Sequence, residues 1–248
     1  MIPPIDIRYI VEALDRIGEV LKEAAEDHPK ISEKEGEPQA LLDVLRELLN
    51  TLCQPPDEAL GSLPRASEPS KDKTILGDRG LKLLGRLAAL AFRLQRPKLV
   101  REIEMLSVPL ACWVARCEGE ILQLNLIVDG AAALANHLKT PQELAQLYGL
   151  LQEINFALSP RITQSDRRQD PQWPWRIFLL NKAIVATRSH QPAFMEEAFA
   201  QLVEQLPEEA SDFFQEGMEQ MGALDYPQPV REMMERWFAQ WCELRTLH

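Results

Sequence analysis

Between Thr74 and Pro160 the chain carries its longest apolar runs, Leu81–Leu94, Leu106–Val114 and Ile121–Leu138. Their spacing limits the fold more than any other feature of the sequence. Leu81, Leu84, Leu87, Ala88, Ala91 and Leu94 recur at intervals of one helical turn, and so do Leu144, Leu147, Leu151, Ile154 and Leu158. A half-buried strand would alternate polar with apolar residues, and clusters of Val, Ile and Thr between turn dipeptides would mark it. Neither pattern occurs. Ile121–Leu138 is apolar on most sides, as befits a helix in the middle of a protein. A membrane span would need about 20 uninterrupted apolar residues. Asn125, Asp129 and Asn136 interrupt this run, and no basic flank anchors it. The expected class is all-α, with no membrane contact.

The segments on either side extend the pattern. Ile7, Ile10, Leu14, Ile17, Leu21 and Ala24 are spaced as a heptad seam, which predicts a first helix over Ile5–Asp27. A charged connection leads to Pro38, a residue favoured in a first helical turn, and Leu41, Leu45, Leu48 and Leu52 form a second seam. Two helices joined by a short connection pair antiparallel, so residues 1–53 are expected to form an N-terminal helical hairpin. The same two seams would also serve a homodimer, since a two-helix unit has little core of its own. Residues 54–73 contain Pro55, Pro56, Pro64 and Pro69 among serines and charges. They read as a flexible linker, because such a composition buries too little to offset its ordering entropy.

Residues 74–248 form the expected main domain. Helices are predicted over 75–95, 97–117, 120–138, 141–158, 173–189, 192–206, 207–222 and 229–246, with Pro97, Pro141, Pro192, Pro207 and Pro229 at their starts. Pro109 would either kink its helix by removing a backbone hydrogen bond or follow a break capped by Ser107. Helix, tight turn and helix in succession is how α-solenoids are built. With Pro141 taken as the proline that closes a unit of about 34 residues, Trp113 falls at its leading aromatic position. The chain resembles tetratricopeptide repeats in this architecture, although Cys117 and Asp129 stand where that motif has small residues. The resemblance implies an irregular helical repeat, with a plain helical bundle as the alternative.

Composition excludes some functions. The 38 acidic residues outweigh 27 basic ones for a net charge of -11. A general nucleic-acid binder needs the opposite balance, to replace counterions on phosphates. Cys53, Cys112, Cys117 and Cys242 form no C-x-x-C pair and read as free thiols of a reducing compartment. Residues 1–6 lack the basic region and apolar core of a signal peptide, so a cytoplasmic location is expected. His28, His137, His190 and His248 stand apart from one another, and no Glu-x-x-His pair occurs. A metal site is therefore not expected. The glycine-rich signatures of nucleotide binding and the G-x-S-x-G and S-x-x-K patterns of serine enzymes are missing too. No cofactor and no catalytic residue is assigned.

Three groups of residues remain as candidate sites. Arg79, Lys82, Arg86 and Arg93 fall within about 60° of one another on a helical wheel, at about 100° per residue. They lie in a stretch, 71–101, whose nine basic and two acidic side chains give a net +7, whereas residues 192–248 carry twelve acids and three bases, a net -9. A charged stripe is most often a solvated face; its functional reading is a dock for an acidic protein surface. Trp237, Phe238 and Trp241 supply aromatic area to the last helix. Aromatics at this spacing usually belong to a core, and in an exposed patch they would mark a partner site. Asp129, with Asn125 one turn away, is a carboxylate among apolar residues. It would cap a helix, bond to a neighbour, or line a ligand pocket.

The function expected from these features is that of a non-catalytic protein-binding or scaffold protein using a charged face or groove. Two alternatives stand beside it: an enzyme or small-ligand sensor with a pocket around Asp129 and Asn125, and a structural subunit that dimerises through the hairpin.

Overall fold

The seam predicted at the N-terminus lies on a helix, α1 (Ile7–Glu26), whose first turn is capped by Asp6: the carboxylate accepts from the Arg8 amide at 2.8 Å. This computed structural model describes residues 2–28, 38–53, 71–164 and 170–243; of the predicted linker, 54–73, residues 54–70 lie outside the described residues and 71–73 are the start of a helix. The helices that follow are α2 (Pro38–Cys53), α3 (Lys71–Arg93), α4 (Pro97–Arg116), α5 (Asn125–His137), α6 (Pro141–Phe156), α7 (Pro160–Thr163), α8 (Pro174–Arg188), α9 (Pro192–Gln205), α10 (Ala210–Ala223) and α11 (Gln228–Phe238), with a π-helical turn at Ala239–Glu243. Among the described residues every regular element is helical, and the one β-contact is an isolated bridge between Ile121 and Leu158. No helix among them is long and apolar enough to cross a membrane.

Compact packing divides the described residues into two units. The first draws on residues 3–133 and 152–163, the second on 134–151 and 164–248. In the first, Ile7, Ile10, Leu14, Ile17, Leu21 and Ala24 are all buried, and α1 packs on both α2 and α4. Arg46 of α2 pairs with Asp15 of α1, while Leu42, one turn earlier on α2, lies over Gly18 further along α1. The two helices therefore run antiparallel. Helix α3 continues this core through Leu81, Leu84, Leu87 and Ala91, and packs against α4 and α2.

Pro109 sits inside one continuous helix, α4, so no new helix begins at Ser107. The Ser107 hydroxyl instead bridges the Glu104 carbonyl at 2.6 Å and the Leu126 carbonyl of α5 at 3.0 Å. Gly130 makes that crossing close: a Cβ there would collide with the Glu104 carbonyl oxygen and the Ser107 hydroxyl.

Helix α5 begins at Asn125, five residues later than the predicted start at 120. The preceding residues are extended because other elements satisfy their backbone and side chains. The Ile121 amide donates to the Ala157 carbonyl at 2.8 Å, and the Ser159 amide donates to the Ile121 carbonyl at 3.0 Å. The Glu120 amide is held by the Thr74 hydroxyl at 2.8 Å.

The second unit is built on aromatic packing. Phe199, Phe213, Phe214 and Trp237 contact one another with centroids 5.2–6.1 Å apart, and Tyr148 stacks on Phe194 at 4.5 Å. Thr140 and Glu143 start α6 with reciprocal contacts: the Glu143 amide donates to the Thr140 hydroxyl at 3.2 Å, and that hydroxyl donates to the Glu143 carboxylate at 2.9 Å.

Candidate protein-binding surface

The sequence makes α3 two-sided. Its leucines at helical spacing enter the core of the first unit, which turns Arg79, Lys82, Arg86 and Arg93 outward, and all four are exposed. Lys82 is tied along its own helix to Asp78, Nζ to Oδ2 at 2.6 Å. Asp78 is held in turn by the Gln123 side-chain amide, at 2.8 Å to Oδ1 and 3.0 Å to its carbonyl oxygen. Among the described residues Arg79 and Arg86 make no ion pair or side-chain hydrogen bond, so both guanidinium forks are open to a ligand.

Two apolar side chains accompany these cations. Ile75 is 49% and Phe92 73% exposed. At about 100° per residue they share with the basic residues an arc of roughly 140°. Nothing lies within 4 Å of a Cβ built at Gly85, which falls near the Phe92 edge of that arc. Guanidinium groups recognise carboxylates through paired hydrogen bonds, and adjacent apolar area supplies the part of an interface that gains from losing water. The basic residues were evident in the sequence. Ile75 and Phe92 were not singled out there, although the same wheel places them beside the stripe.

Asn125 and Asp129 are both exposed, one turn apart on the outer side of α5. Partial burial holds the Asp129 carboxyl above its usual range. The Glu104 carboxyl is also raised, by its own partial burial first and by the Asp129 charge second. The first unit has a shallow hollow of about 680 Å³ between the ends of α4 and α6; Asn125 and Asp129 are not among the residues that line it. Its main polar feature is Arg116, which closes on both Glu153 oxygens at 2.7 and 2.9 Å, with Phe156 beside them. Among the described residues no three His, Cys, Asp or Glu side chains gather as they would around a metal ion.

The C-terminal aromatics belong to the second unit. Trp237 is buried: its ring stacks on Phe214, 5.7 Å between centroids, and its indole N–H donates to Glu196 at 3.1 Å. Arg236 pairs with the same carboxylate. Phe238 and Trp241 are half-buried. Trp237 thus contributes its area to the core of the unit, and among the described residues at this end of the chain neither Trp237 nor Trp241 is fully exposed.

No protein-family model, curated protein or solved structure matches this chain.

Proposed function

We propose that this chain is a non-catalytic protein-binding or scaffold protein whose docking surface is the outer face of α3, and that its partner presents acidic and apolar side chains together. In this reading the antiparallel pair α1 and α2 is an N-terminal hairpin, the helices that follow form an irregular repeat, and the protein works in the cytoplasm. The observation that carries the reading is the combination on one helix of two arginines without an ion pair among the described residues, Arg79 and Arg86, with Ile75 and Phe92 exposed. A solvated face would serve with the charges alone. Exposed apolar area interleaved with open guanidinium groups is what a partner site requires.

The test uses the intact chain as bait in an extract of its own host. The partner captured by the wild type is expected to be lost from the Arg79→Glu, Lys82→Glu, Arg86→Glu variant, and its capture by the wild type to weaken as salt rises. The reading fails when the triple variant retains the same partner at every salt concentration.

A further inference from the structure

The second unit contains a cavity of about 580 Å³ between α8, α10, the loop after α10, and α11. That volume lies within the roughly 300–1,000 Å³ usual for small-molecule sites. Phe213, Met221 and Met234 supply much of its apolar wall. Gly217 allows the wall to close, because a Cβ there would come within 2.6 Å of the Met234 sulfur. Ile184 and Leu224, 44% and 53% exposed, also line it.

Two polar groups in this apolar setting have no acceptor among the described residues. Arg188 is half-buried and is the one cation among the lining residues. Among the described residues nothing accepts a hydrogen bond from its guanidinium, and no carboxylate pairs with it. Tyr226 is half-buried and close enough to feel the Arg188 charge. Its ring stands edge-on to His190, 5.3 Å between centroids, and its hydroxyl likewise has no partner among the described residues. Burial holds the phenol above its usual range and keeps His190 below its own. The Thr187 hydroxyl is already committed to the Ala183 carbonyl at 2.9 Å. Glu216 and Glu219 are exposed members of the lining.

We propose that this cavity binds a small monocarboxylate with an apolar body. The Arg188 guanidinium and the Tyr226 hydroxyl hold the carboxylate, and the apolar part lies on Phe213, Met221 and Met234. Two donors without acceptors among the described residues, one of them a planar cationic fork, match a carboxylate. The methionine- and phenylalanine-rich wall takes an aliphatic or aromatic body of varied shape. Glu216 and Glu219 disfavour a second negative charge on the ligand.

Calorimetric titration of the full-length chain with octanoate, 1-octanol and octylammonium tests the assignment. Saturable binding of one octanoate per chain is expected, at least tenfold tighter than either of the other two probes. Arg188→Gln should weaken octanoate at least tenfold and remove its advantage over octanol, and Tyr226→Phe should weaken it several-fold. Ile184→Glu changes an exposed position, so the fold is retained, and its added negative charge should also weaken octanoate. Three results would each overturn the proposal: no saturable octanoate binding, octylammonium binding tighter than octanoate, or octanoate affinity unchanged in both Arg188→Gln and Ile184→Glu. The cavity and the α3 face lie in different units and are read by different assays, so either can fail alone.

Discussion

The Lys182 ammonium lies beneath the Tyr148 ring, 5.4 Å from its centroid, and donates to the Gln201 side-chain oxygen at 2.7 Å. The residue is only 1% exposed. Burial lowers its pKa to about 8, with the Glu197 carboxylate opposing the shift. Below about 8 the folded chain bears the cost of a buried charge. As the pH rises from there toward the ordinary lysine value, the folded state releases this proton before the unfolded state does, so the contribution of Lys182 to stability rises. Cys112 acts in the opposite sense: burial pushes its thiol up to about 12, so above about 9 only the unfolded chain ionises and stability falls. The wild-type profile mixes the two, and a difference isolates Lys182. Denaturant unfolding at pH 7 and pH 10.5 should show wild type gaining on Lys182→Met by on the order of 2–3 kcal/mol as the pH rises. An unchanged difference would mean that the ammonium is solvated in solution. None of this could be read from the sequence, where Lys182 is one lysine in a helix whose apolar residues are spread around its circumference. Asp129 shows the reverse case. Its apolar neighbours drew attention to it, yet the close packing belongs to Gly130, one residue on, while Asp129 points outward. Local composition indicates that a segment is buried, but not which residue of it meets the neighbouring helix.

At the scale of elements, proline was a dependable guide to helix starts. Pro38, Pro97, Pro141, Pro174 and Pro192 each occupy the first position of a helix, where a missing amide hydrogen costs nothing. Pro207 lies instead in a turn ahead of α10, which starts at Ala210. The late start of α5 was hidden for a different reason. Ile121 is apolar enough for a helix, and its extended backbone depends on Ala157 and Ser159, more than thirty residues away in the chain. The outward face of α3 allows a direct check at this scale. Arg79 and Arg86 are exposed and unpaired among the described residues, so Arg79→Glu with Arg86→Glu should change unfolding stability by no more than about 0.5 kcal/mol per site. A loss well beyond that in a denaturant titration would show that the fold itself uses these arginines. Lys82 is left out of this check because its contact with Asp78 is intramolecular.

For the whole molecule, the all-helical class follows from apolar spacing alone, and the structure has it throughout the described residues. The partner of each apolar face does not follow. The seam on α1 marks which side is buried, and would suit α2, α4 or a second copy equally well; in the structure α2 and α4 cover it. Charge distribution was legible from the start: a net -11 overall, with +7 concentrated in residues 71–101. Charge of that sign on an acidic protein, beside exposed Ile75 and Phe92, is the basis for assigning α3 a docking role. The most direct measurement installs a photo-crosslinking side chain in place of Arg86, or in place of the exposed Arg16 on α1, and irradiates living host cells. The account predicts a discrete adduct with an acidic protein from position 86 and none from position 16. No adduct from position 86, or the same adducts from both positions, would contradict it.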